Sequence, residues 1–557
     1  MKTGPDHVPG ALGAGAIAFA AALAFLPALR GGLVFDDHLL LGPTGLARGP
    51  LRDIWFSTAP LDWWPLSFTT LWADVRLWGA APLPMHLENL LLHAAAAILL
   101  WRVLRALRVP GAFLGALLFA VHPVAVESVA WISERKNVLS APLFFGSALA
   151  WLRFEERGGR RVWAVALALF ALALLAKTST VMLPVVLLGA AWARGSLDRR
   201  RLAALAPMFA LALGAGLATL WFQAHRAAEG FLLAPRGPAE RLGGAAWALL
   251  AYLWTAFVPA AAAVVYGPWP AGPRDPLFYL PLAACALGAA LLWRFRRGRV
   301  RAAGLALAYH AAMVLPVLGL VDIAYFHVGP VSNHLQYLAL AGPAALGGAS
   351  LAWLAQRWGP RLPAAVAAAL VLGLCAWTAR RAAAFRDDVS LWEAAVRESP
   401  RSLYAVWMLS DRLADRGERA RAAAALAAAA ESSPDAGTRL RARALSLFHA
   451  GRVADALAAA DEARSARPDP GFDLQLASLS VRARHPDEGL ALLEPLLASG
   501  GRSPEVFYWA GAAHAQRGRR ADAIRVLRDG VRAYPATASL RVALEALLAA
   551  GGAPPPP

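Results

Sequence analysis

The chain has 557 residues, 58% of them hydrophobic, with a mean hydropathy of +0.47, which is more apolar surface than a water-soluble fold can hide. A formal net charge of +18 would suit a nucleic-acid binder, but its distribution argues against one: residues 385–557 hold 23 arginines against 21 acids, whereas the remainder holds 32 bases against 16 acids. Those bases cluster in short loops between apolar stretches, the positive-inside pattern of a membrane protein, so a nucleic-acid partner is excluded and membrane lipid is expected around most of the chain.

A bilayer core takes about 20 apolar residues per helix. The first such stretch, 11–33, reads as an uncleaved anchor. A polar loop, 36–83, follows. Further spans are expected near 84–101, 111–131, 137–152, 162–176, 178–193, 202–222, 276–293, 302–321, 336–355 and 362–379, about eleven in all. The stretch 243–262 is apolar but interrupted by Pro259, which suits a re-entrant or interfacial segment. Cys285 and Cys375 both fall in apolar spans, so neither a disulfide framework nor a metal motif is offered.

Arginine clusters at 102–108, 153–161, 194–201 and 294–301 set the orientation. With these in the cytoplasm, loop 36–83 and the C-terminal region both lie outside, although Arg380 and Arg381 pull the other way.

The first outward loop opens on Phe35-Asp36-Asp37-His38. Two adjacent carboxylates at a membrane surface can raise one another's pKa toward the range of a general base, or simply solvate a loop. His86, Asn89 and His93 then form a helical i, i+3, i+7 stripe on an otherwise apolar helix. Such stripes face a bundle or a water-filled cavity, so substrate contact competes with helix–helix hydrogen bonding. No partner has the spacing of a known metal site; a divalent metal is conceivable, and no cofactor is certain.

The densest polar feature is 121–140, VHPVAVESVAWISERKNVLS, carrying His122, Glu127, Glu134, Arg135 and Lys136 on the side of Asp36. Only three of the 55 basic residues are lysine: Lys2, Lys136 and Lys177. In a chain this rich in Arg, Ala and Gly, the two interior lysines read as kept for a compact ammonium that a guanidinium fork does not replace. Two cations facing several carboxylates suit a phosphate-bearing lipid carrier and a hydroxyl acceptor, or a structural ion-pair network.

From about 402 the pattern changes to short alternating helices. Pro400, Pro434 and Pro468 are 34 residues apart, the tetratricopeptide (TPR) period, and Gly417/Ala422, Gly451/Ala456 and Gly518/Ala523 recur at fixed offsets before a proline. One unit, ending near 503, is degenerate. Such repeats stack into a solenoid with a concave binding face, on which Tyr404, Trp407 and Tyr508 are expected, either to grip a partner protein or to pack between repeats. The expected organisation is therefore all-α: a polytopic membrane domain over 1–384, a TPR α-solenoid over 385–551, and a disordered proline-rich tail over 552–557.

Phe35-Asp36-Asp37, WWPLSFTTLWAD (63–74), HLENLLLH (86–93), HPVAVESVAWISERKNVLS (122–140), AKTSTVMLP (176–184) and SNHLQYLA (332–339) occur in this order. Together they resemble bacterial relatives of the transmembrane-and-TPR O-mannosyltransferases, in the C-type glycosyltransferase superfamily. The resemblance implies a multispan enzyme of the bacterial cytoplasmic (inner) membrane that uses a polyprenyl-phosphate-linked sugar. It places the catalytic acid at Asp36 or Asp37, and Lys136 and Lys177 near the lipid phosphate; Glu127, an acid on the same side of the membrane, is a further catalytic candidate. His86, Asn89, His93, His122, Glu134, Arg135, His334 and Gln336 come with its motifs as substrate-binding candidates. The chain departs from the pattern at Asn333-His334, where relatives often have Asp before the basic residue, and at Leu71, where many are polar. By this resemblance the protein transfers a sugar, mannose in the first instance, to Ser/Thr of extracytoplasmic proteins that the repeats recruit. Two other readings fit the same residues: a non-catalytic TPR scaffold for envelope proteins, and a transferase acting on a glycan or lipid.

Overall fold

The structure is a computed structural model that describes residues 9–43, 45–58, 60, 62–227, 236–433, 435–466, 468–499, 503–535 and 537–549. Pro434 and the tail over 552–557 lie outside the described residues. All regular structure among those described is helical, as the sequence pattern requires.

Six helices are long and apolar enough to cross a membrane: Gly10–Arg30, Pro82–Ala106, Arg199–Ala227, Pro276–Arg294, Gly298–Val317 and Arg361–Arg386. A seventh span is obtained if Ala112–Ala120 and Pro123–Ala130, bent by 46°, count as one. The other expected spans are helical too, but differ in kind. Arg135–Arg157 carries charge at both ends, Arg160–Ala176 has 17 residues, and Thr178–Ala193 is a shorter apolar helix. The stretch expected to be re-entrant is a continuous helix, Pro238–Phe257, that stops just ahead of Pro259.

The loop after the first span is itself folded. Helices Asp37–Leu41, Leu51–Phe56 and Pro65–Trp78 enclose a small core of Leu41, Ile54, Phe68, Leu71, Val75, Met85 and Ile132. Leu71 is thus a packing residue. Pro65 opens its helix where a missing N–H costs nothing, and Gly79, at φ +62°, closes it in the left-handed cap.

Segment 121–134 breaks into short helical turns around Pro123, and every residue in it is buried. Irregular backbone at this depth is tolerated because protein, not lipid, surrounds it. Behind it, Ala112–Ala120 crosses Ala341–Trp358 at a glycine contact. A Cβ on Gly348 would sit 2.6 Å from the Gly111 carbonyl oxygen and the Gly115 nitrogen, so only small residues permit this approach.

Beyond the last span, helix Asp388–Glu398 leads into paired helices: Leu403–Asp415 with Arg419–Ser432, Ala436–His449 with Val453–Ala466, Pro470–Arg482 with Pro486–Ala498, and Pro504–Gln516 with Arg520–Ala533. Gly417, Gly451 and Gly518 each stand in the turn of a pair at φ between +73° and +81°. That conformation is the physical reason for the glycine in the repeat pattern. The degenerate unit keeps the same plan with Arg484 at φ +66° in the glycine's place, and Gly489 where the others have Ala422, Ala456 or Ala523. A Cβ on Gly489 would meet Val481 at 2.6 Å. Left-handed backbone costs a residue with a side chain about 1–2 kcal/mol. Arg484→Gly is therefore expected to raise the melting temperature of the C-terminal helices; an unchanged or lower melt would show the turn to be unstrained.

The expected boundary at 384/385 is not a break in packing. Val389, Leu391, Trp392, Ala405, Leu409 and Leu413 share one core with residues of the membrane-spanning helices. Arg381, one of the two arginines that pull against that orientation, is buried and committed to Glu398 (2.9 Å) and the Ala262 carbonyl (2.5 Å).

Candidate active site

Asp36 and Asp37 are adjacent in sequence but occupy different environments. Asp37 is fully buried and saturated with donors: the Val34 N–H on Oδ2 (3.0 Å), and the Ser133 N–H (2.7 Å) and hydroxyl on Oδ1. It fastens the loop to the 131–134 segment. Asp36 keeps a buried Oδ1 with no hydrogen-bond partner among the described residues. Burial raises its carboxyl pKa, and the nearby Lys136 ammonium opposes that rise. Burial, then the Asp36 charge, push Asp37 up to about 7 against the pull of Ser133 and Val34.

Around Asp36 the two lysines share one carboxylate. Lys136 Nζ lies 2.5 Å from Glu134 Oε1, and Lys177 Nζ lies 3.6 Å from Glu134 Oε2. Lys136 also sits over the rings of Trp64 (5.2 Å) and Trp131 (5.8 Å), an aromatic seat for a desolvated cation. Burial alone would raise Glu134, but His334, Lys136 and Lys177 together hold it down at about 2. Lys136 is raised, because Glu134 and Asp36 outweigh the burial that would lower it. Lys177 is lowered to about 8 by burial, with Glu134 opposing and Lys136 adding like-charge repulsion.

Asn137 is the hub that fixes this geometry. Its amide nitrogen faces Glu134 (2.6 Å), Ser128 (3.1 Å) and the His334 carbonyl (3.0 Å), while its oxygen accepts from Lys177 Nζ at 2.6 Å. Asp62 completes the ring. It accepts from Gln223 (2.6 Å), feels both lysine charges, and is raised by burial to about 6. Sequence reasoning missed Asp62, Asn137 and Ser133. Asn137 sits three residues after Glu134 on one helical turn, a usable signal, but Asp62 offers none.

Glu127 does not stand free as a catalytic carboxylate. Its oxygens accept from Ser332 (2.8 Å), Asn333 (2.6 Å), the His334 N–H (3.0 Å) and the His334 ring (3.1 Å). It pins the late loop so that the other ring nitrogen of His334 lies 3.8 Å from Glu134. Asn333 is the residue that meets Glu127; a carboxylate there would face another carboxylate. Glu127 also lines a small cavity, about 20 Å³, with Phe35, Trp131, Tyr325 and Trp392.

Several other predicted site residues are turned away from the lysines. Arg135 is buried against Asp74 (3.1 Å), Glu88 (2.7 Å), Asn89 and the Met85 carbonyl. Asn89 donates to the Val129 and Trp131 carbonyls, bracing the loop from behind. His93 bonds Tyr337 (2.7 Å) and the Ala120 carbonyl (2.9 Å), and His86 packs on the Gly31–Gly32 backbone. The 86/89/93 stripe therefore joins helices instead of lining a water-filled cavity. His122 donates to the Ala256 carbonyl and accepts from the Val124 N–H; Gln336 donates to Thr255.

Of the residues expected on a concave repeat face, Tyr404 instead packs against Phe35, Trp392 and His327, and Trp407 packs on Tyr404. Tyr508 lies against Trp509 near the far end of the array. Among the described residues, no group of three or more His, Cys, Asp or Glu is placed to hold a metal ion.

Residues 60–221 match the family described as dolichyl-phosphate-mannose-protein mannosyltransferase. The family match includes Asp62, Glu134, Lys136 and Lys177 of this site, and not Asp36, Asp37 or His334. Protein O-mannosyl-transferase Tmtc1 of Drosophila melanogaster is 30% identical over 181 residues, 30% of this chain and 20% of the relative. Protein O-mannosyl-transferase TMTC1 of Mus musculus is 33% identical over 162 residues, 26% and 17% of the two chains, and the Homo sapiens protein of that name is 31% identical over 162 residues, 26% and 18%. The matches thus span about a fifth of the length of these relatives.

Proposed function

We propose that this chain, a relative of the TMTC-type protein O-mannosyltransferases, is a membrane glycosyltransferase that moves mannose from a polyprenyl-phosphate carrier to a Ser or Thr hydroxyl of a protein. The observation that carries the reading is a carboxylate that keeps one buried oxygen free of hydrogen bonds among the described residues, Asp36, close to the Lys136 ammonium, which shares Glu134 with Lys177. Each answers a separate need of the reaction.

The Asp36 carboxylate takes the proton of the acceptor hydroxyl as its oxygen attacks the anomeric carbon from the face opposite the phosphate. The bond from that carbon to the phosphate oxygen breaks, its electron pair leaves with the phosphate, and the configuration inverts. The leaving phosphate gains one negative charge as it departs. Lys136 and Lys177 are already fixed to receive that charge, so no reorganisation is needed at the moment of reaction. Glu134 keeps the two ammonium groups together before the donor arrives, and Asn137 holds Lys177 in line.

In this reading the loop over 36–83 faces outward, where acceptors fold, and the TPR helices recruit them. The contacts of Asp388, Trp392 and Tyr404 with Phe35, beside Asp36, support these helices lying on that side. The test is transfer of mannose from a polyprenyl-phosphate donor to a Ser/Thr peptide by purified protein in sealed vesicles. Product should form when both substrates are supplied on the side of Asp36. Failure of transfer from either side, with a folded protein, would return the scaffold reading. Transfer to glycan or lipid but never to peptide would change the acceptor class.

A further inference from the structure

Asp36 is held between two residues that one distant carboxylate grips. Asp388 Oδ1 accepts the Phe35 N–H at 2.8 Å, and Asp388 Oδ2 lies 2.9 Å from His38 Nε2. The carboxylate therefore straddles Asp36, holding the residue before it and the residue two after it. It comes from the first turn of Asp388–Glu398, the helix that follows the last membrane-spanning stretch.

The grip acts on a strained backbone. Phe35 has φ +52°, left-handed for a residue with a bulky side chain, a conformation that persists only where its surroundings over-determine it. Here they do. The Phe35 ring packs against Trp131 (5.2 Å), Trp392 (5.3 Å) and Tyr404 (6.5 Å), and the Gly32 N–H donates to the Arg386 carbonyl at 2.9 Å. Asp37 secures the inner side of the same turn through Val34 and Ser133. Only the outer side depends on residues beyond the last span, and Asp388 supplies both of its side-chain hydrogen bonds.

We infer that Asp388 is a positioning residue for the Asp36 carboxylate, so that the helix after the last span is part of the catalytic centre and not only a tether for acceptor recruitment. This rests on the proposed transferase reading for its kinetic part. Releasing Phe35 from its left-handed conformation rotates the Asp36 carboxylate away from the lysines, while the donor's phosphate contacts on Lys136 and Lys177 stay in place. The loss should therefore appear in kcat and not in the donor KM.

The experiment uses the full chain in lipid nanodiscs and compares Asp388→Ala, Asp388→Asn and, as a control on the same helix end, Asp387→Ala. Asp387 caps the helix through the Ser390 N–H (3.0 Å), and its other partners among the described residues, Arg386 and Arg416, lie outside the loop. Hydrogen–deuterium exchange of a peptide covering 33–40 and steady-state kinetics are both read. Asp388→Ala should strip the loop peptide of protection and lower kcat by about ten- to a hundredfold, the scale of misplacing a catalytic group by about 1 Å. Donor KM should stay within about twofold, because uniform binding is untouched. Asp388→Asn keeps an acceptor for the Phe35 N–H and should restore much of both signals, whereas Asp387→Ala should loosen the helix end without moving the loop.

Wild-type exchange in the loop of Asp388→Ala overturns the inference, and so does a kcat matching that of the Asp387 control. A wild-type protein with no transferase activity overturns the functional reading instead, and the exchange measurement still decides whether Asp388 sets the loop.

Discussion

Asp36→Asn is expected to abolish transfer while leaving a normally folded, membrane-inserted protein. Asparagine matches the aspartate in size but cannot accept the acceptor's proton, and loss of a general base costs about a hundredfold to ten-thousandfold in rate. Folding should be spared because Asp36 Oδ1 makes no hydrogen bond among the described residues, and the amide oxygen of asparagine can still accept from Ser133. Asp37→Asn should behave in the opposite way. Its carboxylate receives three donors, and an amide can orient only one oxygen toward them, so its NH₂ meets an N–H or the Ser133 hydroxyl. A buried donor left unsatisfied costs about 1–3 kcal/mol. The expected result is a lower melting temperature and reduced abundance, with the residual folded fraction keeping most of its kcat. Mass spectrometry of glycosylated acceptors, normalised to folded protein, separates the two. An active Asp36→Asn with an inactive, stable Asp37→Asn would exchange their roles. Full activity in both would remove the catalytic centre from this loop altogether.

That contrast marks how far the sequence could be read. The helical class, the loop carrying two acids and the specificity of 122–140 follow from local pattern, because apolar length and motif order are local properties. The Lys136 and Lys177 positions are legible in composition, through their rarity. Which aspartate keeps an unbonded oxygen is not legible: Asp37 is committed on both oxygens, one of them to Ser133, 96 residues away, and no spacing rule reaches that far. The same limit explains Arg135. It follows Glu134 directly and looks equivalent to Lys136, yet at the start of Arg135–Arg157 the two side chains diverge, one into Asp74 and Glu88 and the other toward Asp36. The 86/89/93 stripe was visible as a stripe. Its meaning depended on what faced it, and that proved to be backbone carbonyls and Tyr337. Tyr404 looked like a recognition residue for the same reason: an aromatic on the first paired helix reads identically whether a partner or Phe35 covers it.

Lys177 gives the other large effect, and it is read in pH. Burial lowers its pKa to about 8, so its ammonium form predominates at neutral pH and is lost as pH rises through that value. Asp36 must be ionised to accept a proton, and burial raises its pKa, so its contribution is lost as pH falls, at a pH above the ordinary aspartate value of about 3.9. The profile of kcat/KM should therefore be a bell whose alkaline limb lies near pH 8. Lys177→Ala removes one of the two ammonium groups that receive the phosphate charge, and loss of one such preorganised contact typically costs about a hundredfold to a thousandfold in kcat. Lys177→Arg is the more informative change. A guanidinium stays charged throughout the accessible range, so the alkaline limb should move upward and away from pH 8. The plateau should nevertheless fall below wild type, because a planar fork cannot place its charge where the single Nζ meets Asn137 Oδ1 at 2.6 Å. If the alkaline limb of Lys177→Arg superimposes on that of wild type, the titrating group is another one. If Lys177→Ala also transfers mannose at the wild-type rate, Lys136 alone carries the phosphate, and Lys177 serves only to hold Glu134 and Asn137 in the core.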